Sequence, residues 1–105
     1  MKLEEKIEFI ANHYGFEPQC RQTIEEMAEL MIALNKFLRK SVDSFEVGGT
    51  VEDACLMLKE EYKNITEEIA DVQIMLYQLS VFLGNRVQVS NMMKEKIDRQ
   101  LERIK

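Results

Sequence analysis

Apolar residues recur along this chain at the three- and four-residue spacing of helices. Leu3, Ile7, Phe9 and Ile10 stand among charged residues and predict a short helix over Leu3–His13, which Gly15 ends. Pro18 suits the opening of the next helix, where its missing N–H breaks no bond, and the pattern runs on to Lys40, about six turns. Ser41 to Thr50 (SVDSFEVGGT) reads as the one long loop, with Gly48-Gly49 as its breaker. Thr50 with Asp53 has the form of a capping box. It opens a third helix that can run unbroken from Val51 to Leu83, with Gly84 as a left-handed cap. Its weakest point is Asn64-Ile65-Thr66, where Thr66, followed by Glu67 and Glu68, offers a fresh start. A turn over Asn85–Val89 leads to Ser90 as the cap of a last helix ending near Ile104. GGT and RVQV are too short for strands. The predicted fold class is all-α: an antiparallel bundle of four to five helices forming one domain over residues 1–105.

Composition agrees with a helical core. Seven Met, five Phe and no Trp suit adaptable helix packing, and one Pro with four Gly leaves little room for disorder. The formal charge of −5 argues against a nucleic-acid polymer as the partner, since phosphate backbones want a basic surface. An acidic protein still binds a nucleotide when metal ions bridge the two negative charges. The opening MKLEEKIEF is acidic and lacks a long apolar run, unlike a signal peptide or anchor. No stretch approaches the roughly twenty apolar residues of a membrane span. Cys20 and Cys55 are too few for a disulfide framework and read as small core residues, which makes the cytoplasm the expected compartment.

One motif is written twice. Ile24–Leu34 reads IEEMAELMIAL and Thr66–Leu76 reads TEEIADVQIML, with five of the eleven aligned positions identical. Each copy sets two acids three residues apart, Glu26 with Glu29 and Glu68 with Asp71, on one helix face. Four such acids brought together would repel each other unless a hard cation sat among them. On a helical wheel, Gln19, Gln22, Glu26, Glu29, Ala33, Lys36 and Lys40 share one stripe, bordered by a broad apolar arc. The second copy is set among Ile65, Val72, Met75, Leu79 and Phe82, so its acids need a compensating charge. That charge is either a cation or one of Lys36, Lys40, Lys94 and Arg99 in a buried ion pair. Oxygen donors alone favour Mg²⁺, with Mn²⁺ possible, over zinc. The single histidine, His13, has no matching carboxylate and reads as a surface or helix-end residue.

At these residues the chain resembles the MazG-like all-α nucleoside triphosphate pyrophosphohydrolases, which carry EExxE on one helix and EExxD on another. Here those are Glu25-Glu26-Met27-Ala28-Glu29 and Glu67-Glu68-Ile69-Ala70-Asp71, and the resemblance covers about Gln19 to Arg103. It implies that Glu26, Glu29, Glu68 and Asp71 hold Mg²⁺. It also implies that a basic last helix, with Lys94, Lys96 and Arg99, meets the substrate phosphates. Gln19 and Gln22 resemble residues placed near the base, and Lys36 on the same stripe joins them as a substrate-binding candidate. The implied reaction cleaves the α–β phosphoanhydride of a (d)NTP to a nucleoside monophosphate and pyrophosphate, as in nucleotide house-cleaning or pool control. Glu25, Glu67 or one of the ligands would take the proton of the attacking water. A single motif pair marks a small, one-domain branch, and the Tyr-His of the related phosphoribosyl-ATP pyrophosphatases is absent.

Two other readings fit the same residues: a non-catalytic helical interaction module whose acids meet a basic partner, and a nucleotide-binding sensor without turnover. Lys94 and Lys96 lie about 200° apart on their helix, so not all three cations of that helix can face one triphosphate. The segment Ile65–Leu83 is apolar on almost every side, and Phe37, Met57, Leu58, Tyr62, Met75, Tyr77 and Phe82 add bulk beyond one stripe. The expectation is a homodimer or homotetramer.

Overall fold

Glycines and a threonine cap divide the chain into helices, as a computed structural model shows; it describes residues 1–46 and 48–105, and only the backbone of Asp43, Ser44 and Glu46. Helix α1 spans Leu3–Tyr14 and stops at Gly15, whose φ of 98° few other residues tolerate. Helix α2, Phe16–Glu46, starts directly after it, with Pro18 in the first turn. Thr50 and Asp53 form the reciprocal cap of α3, Val51–Met57. Helix α4 covers Lys59–Leu83, and Gly84 ends it in the left-handed conformation. There the amides of Gly84 and Asn85 close on the carbonyls of Val81 and Ser80. Helix α5 is Arg86–Ile104. The protein is all-α, with no strand among the described residues. No described helix is long and apolar enough to cross a membrane.

Three boundaries differ from the sequence expectation. Ser41–Glu46 is helix rather than loop. Ser41 lies on the inner face of α2, its side chain buried and its hydroxyl donating to the Leu38 carbonyl at 3.2 Å, so the helix has reason to continue towards Gly48. Val47, within the expected loop, lies outside the described residues. The third helix breaks at Leu58 (φ −109°, ψ 57°), not at Asn64–Thr66. Thr66 caps nothing; its hydroxyl donates to Tyr62 O inside the helix. The turn expected over Asn85–Val89 is already helical from Arg86, with Ser90 inside the helix.

Helices α2 and α4 make the principal contact, and they run antiparallel. Gln19 at the start of α2 meets Gln78 near the end of α4, and Lys40 near the end of α2 pairs with Glu61 near the start of α4. The buried seam holds Ala33, Phe37, Val72 and Met75. Small residues let the backbones approach, and polar ones bind them. Gln19 Nε2 donates to Gln78 Oε1 at 2.8 Å, Gln78 Nε2 donates to the Ile7 carbonyl at 3.1 Å, and Thr23 donates to the Gln19 carbonyl. Through Gln78, α1 is tied to the pair. Phe16 packs edge-to-face on Phe82 at 5.5 Å, joining the start of α2 to the end of α4. Helix α5 touches α4 alone and buries none of its residues, so it stands apart from any bundle.

Gln78→Ala removes the acceptor of one buried amide and the donor to a carbonyl. The expected loss is about 2–4 kcal/mol of unfolding free energy, against about 1 kcal/mol for Thr50→Ala at the α3 cap. Urea unfolding of both variants measures the difference.

Candidate metal centre

The antiparallel register sets the acids of α2 against those of α4. Glu26 faces Asp71 and Glu29 faces Glu68, each pair close enough to hydrogen-bond across the seam when one member is protonated. One carboxylate oxygen each from Glu26, Glu68 and Asp71 lies within 4.8 Å of the others. That separation is near what one cation with metal–oxygen distances of about 2.0–2.6 Å spans. Glu29 is the exposed member, beside the three rather than among them.

Two of the three clustered acids each keep one buried oxygen without a protein partner. Gln22 Nε2 donates to Glu26 Oε1 at 2.7 Å, fixing that carboxylate from one turn away. The other oxygen of Glu26 and Oε2 of Glu68 are both buried, and neither has a hydrogen-bond partner among the described residues. Among the described residues, no lysine or arginine pairs with these acids; the ion pairs there join Arg21 to Glu17, Lys40 to Glu61 and Lys105 to Glu102. Two orphaned buried carboxylate oxygens in one cluster fit a hard cation, and the donor set is all oxygen.

The electrostatics follow from this geometry. Burial holds the Glu26 carboxyl above its ordinary value of 4.5, and the Gln22 hydrogen bond only partly offsets it; Asp71 and Glu29 add repulsion. Burial likewise raises Glu68, with Glu29, Asp71 and Glu26 reinforcing the shift. Two turns from Glu68 the sign reverses. Glu61 is held low, first by its hydrogen bond with Lys40.

The other candidate residues are placed as follows. Glu25 and Glu67, each one residue before a cluster acid, are exposed and turned about 100° away. Glu67 lines a depression of about 400 Å³ with Lys36, Glu60, Glu61, Lys63 and Asn64. Asn64 and Glu61 stand one and two turns before Glu68 on its own face, a spacing visible in the sequence. Gln22 serves Glu26 directly. Gln19, expected near a substrate base, is buried with its amide committed to Gln78, because the close helix approach there leaves it inside the seam. Lys96 and Arg99 line a shallow groove on α5 with Gln100 and Arg103, and Lys94 is not part of it. Compared with protein-family models, with curated proteins and with solved structures, the chain matches none.

Raised values at Glu26 and Glu68 mean that the folded chain binds protons more tightly than the unfolded one. The stability these groups contribute is full below about pH 4.5 and is lost as pH rises through their folded values. In EDTA, the melting temperature is therefore expected to rise as pH is lowered from 7 towards 5. Glu68→Gln should flatten that profile and melt several degrees higher at pH 7, since it removes a charge that nothing compensates. Thermal melts followed by circular dichroism across this pH range test both statements.

Proposed function

We propose that this chain is a cytoplasmic Mg²⁺-dependent nucleoside triphosphate pyrophosphohydrolase of the MazG-like kind, working as a homodimer or homotetramer. The observation that carries the reading is the pair of buried, unpartnered oxygens, Glu26 Oε2 and Glu68 Oε2, in a three-acid cluster drawn from the two copies of one motif. Glu26, Glu68 and Asp71, with Glu29 beside them, would hold Mg²⁺ or Mn²⁺, which when bound would supply charge neutralisation for a triphosphate and make a water more acidic.

The protein's own groups divide the remaining work. Gln22 fixes the Glu26 carboxylate, which keeps one oxygen aimed into the cluster. The Gln19–Gln78 bond locks the register that brings the two acid pairs together. The depression lined by Glu67 sets Lys36, Lys63 and the Asn64 amide among Glu60, Glu61 and Glu67, so its two cations and one donor would serve phosphate oxygens whose own charge a metal ion balances. Glu67 opens onto the same depression, which favours it over Glu25 as the group that accepts the water's proton. The cations of α5 form no ion pair with the acids, so Lys96 and Arg99 are secondary contacts on this reading and Lys94 is solvated.

Incubation with canonical and modified (d)NTPs, reading pyrophosphate and monophosphate, tests the proposal. Release is expected with Mg²⁺ and none in EDTA. Glu68→Gln and Asp71→Asn should each lower kcat at least a hundredfold, close to 3 kcal/mol of barrier at about 1.4 kcal/mol per decade. Lys36→Ala should raise KM more than it lowers kcat. Activity retained in both acid variants would sink the assignment. Nucleotide-linked stabilisation without product would indicate a sensor, and no Mg²⁺-linked change in melting at all would indicate an interaction module.

A further inference from the structure

Helix α5 stands clear of the other helices, and its charges are sorted round its axis. Measured from Met93 at about 100° per residue, Val89, Ile104, Ile97 and Leu101 join it in one arc of about 120°. All five are exposed, Met93 at 62 % and Ile104 at 82 %. Lys96 and Arg103 border that arc on one side, with Arg99 behind them, and Lys94 borders it on the other. The three acids, Glu95, Asp98 and Glu102, lie together on the opposite face, about 140–200° from Met93. Ser90 and Gln100, also in the arc, are uncharged. Arg86, at its start, is drawn back over the Tyr77 ring at 4.5 Å.

The helix also differs in charge from the rest of the chain. Arg86–Lys105 holds six Lys or Arg against three Asp or Glu, whereas residues 1–85 hold eight against sixteen. Whatever covers the arc must therefore be apolar along its middle and negative along both borders. A second α5 is not, because both borders are basic and meet like charge in a parallel or an antiparallel pairing. A nucleic-acid backbone offers the charge but nothing apolar for the aliphatic arc. A groove in an acidic protein meets the charges but must also fit the arc's outline, which Gln100 interrupts. A fluid surface makes no such demand.

We infer that α5 is an interfacial helix that seats on an anionic lipid surface. The aliphatic arc enters the boundary between headgroups and acyl chains. Lys and Arg stems at its borders extend the apolar surface and lift their charged ends to the anionic headgroups. The acids then face water, away from the lipid charge. The helix, 19 residues and about 28 Å long, lies along the surface, since no described helix is apolar enough to span. The acidic body does not prevent this contact. Its repulsion is screened beyond roughly 8 Å at physiological salt, and α5 touches α4 alone and buries none of its residues. The inference goes beyond the pyrophosphohydrolase reading and does not depend on it.

Co-sedimentation of the whole chain in EDTA with phosphatidylcholine vesicles, with and without phosphatidylserine, tests it. Binding is expected to the mixed vesicles, falling as salt rises, with little to phosphatidylcholine alone. Arg103→Gln should weaken it about fivefold, the contribution of one cation near such a surface. Ile97→Glu should weaken it about tenfold or more while keeping its helical circular dichroism. Val51→Glu makes the same change of charge on an exposed residue of α3 and should leave binding as it was. Should Ile97→Glu not fold, or change the mass seen by light scattering, Arg103→Gln decides alone, since it leaves the apolar arc whole. A wild type that ignores both kinds of vesicle points to a protein as the cover and overturns the inference. So does equal binding to both kinds, binding retained in the folded α5 variants, or a loss in Val51→Glu equal to that in Ile97→Glu. Because the measurement contains no metal or nucleotide, its outcome is separate from that of the pyrophosphatase assay.

Discussion

The hydrogen bond from Gln19 to Gln78, buried at one end of the α2–α4 seam, holds the register on which the acid cluster depends. Helices packed through small residues such as Ala33 slide easily, because an alanine fits several positions along a groove. A slip by one residue moves a side chain about 1.5 Å along the axis and turns the facing position by about 100°. Glu26 would then no longer meet Asp71. The amide pair resists this because each partner is buried, and breaking the pair strands a donor and an acceptor away from water. The Lys40–Glu61 pair marks the same register at the other end, but in a more exposed place, where an ion pair contributes little. Polar burial therefore supplies the specificity here, and the thin apolar seam supplies the attraction.

That division explains why neutral amides lie beside the acids instead of cations. A lysine in place of Gln22 would neutralise the Glu26 charge and weaken its attraction for a second cation. Gln22 satisfies one oxygen, orients the group, and leaves the second oxygen buried and unpartnered. The cost is repulsion among acids whose protonation burial already favours. Such an arrangement loses stability in the metal-free chain at neutral pH, and on the proposed reading a bound cation returns it.

Part of this was legible in the sequence and part was not. The doubled motif announced the acid pairs because i, i+3 spacing places them on one face whatever the fold. Thr50-x-x-Asp53 and Gly84 marked helix ends because their chemistry is local. The break at Leu58 carries no such signature, since neither glycine nor proline is there. Ser41–Glu46 reads as a loop because serine and aspartate favour turns, while the burial of Ser41 comes from tertiary packing that sequence does not display. Gln19 was assigned to substrate for a similar reason. A glutamine on the acid stripe looks like a ligand until its partner, Gln78, fifty-nine positions away, is seen to claim it.

The same wheel that gathers the acids also settles which side of the protein remains apolar. A seam between two helices uses one arc of each, and the arcs on either side must face water or another surface. Acids on one flank need water and room for a ligand, so that flank cannot also be covered by a tightly packed copy. The uncharged stripes through Met31 and Leu76 fall on the opposite flank, where covering them removes apolar surface without burying a charge. The open depression lined by Lys36, Lys63 and Glu67 falls on the acid flank. On the proposed reading, the chemistry is thereby confined to one face of a layer only two helices thick.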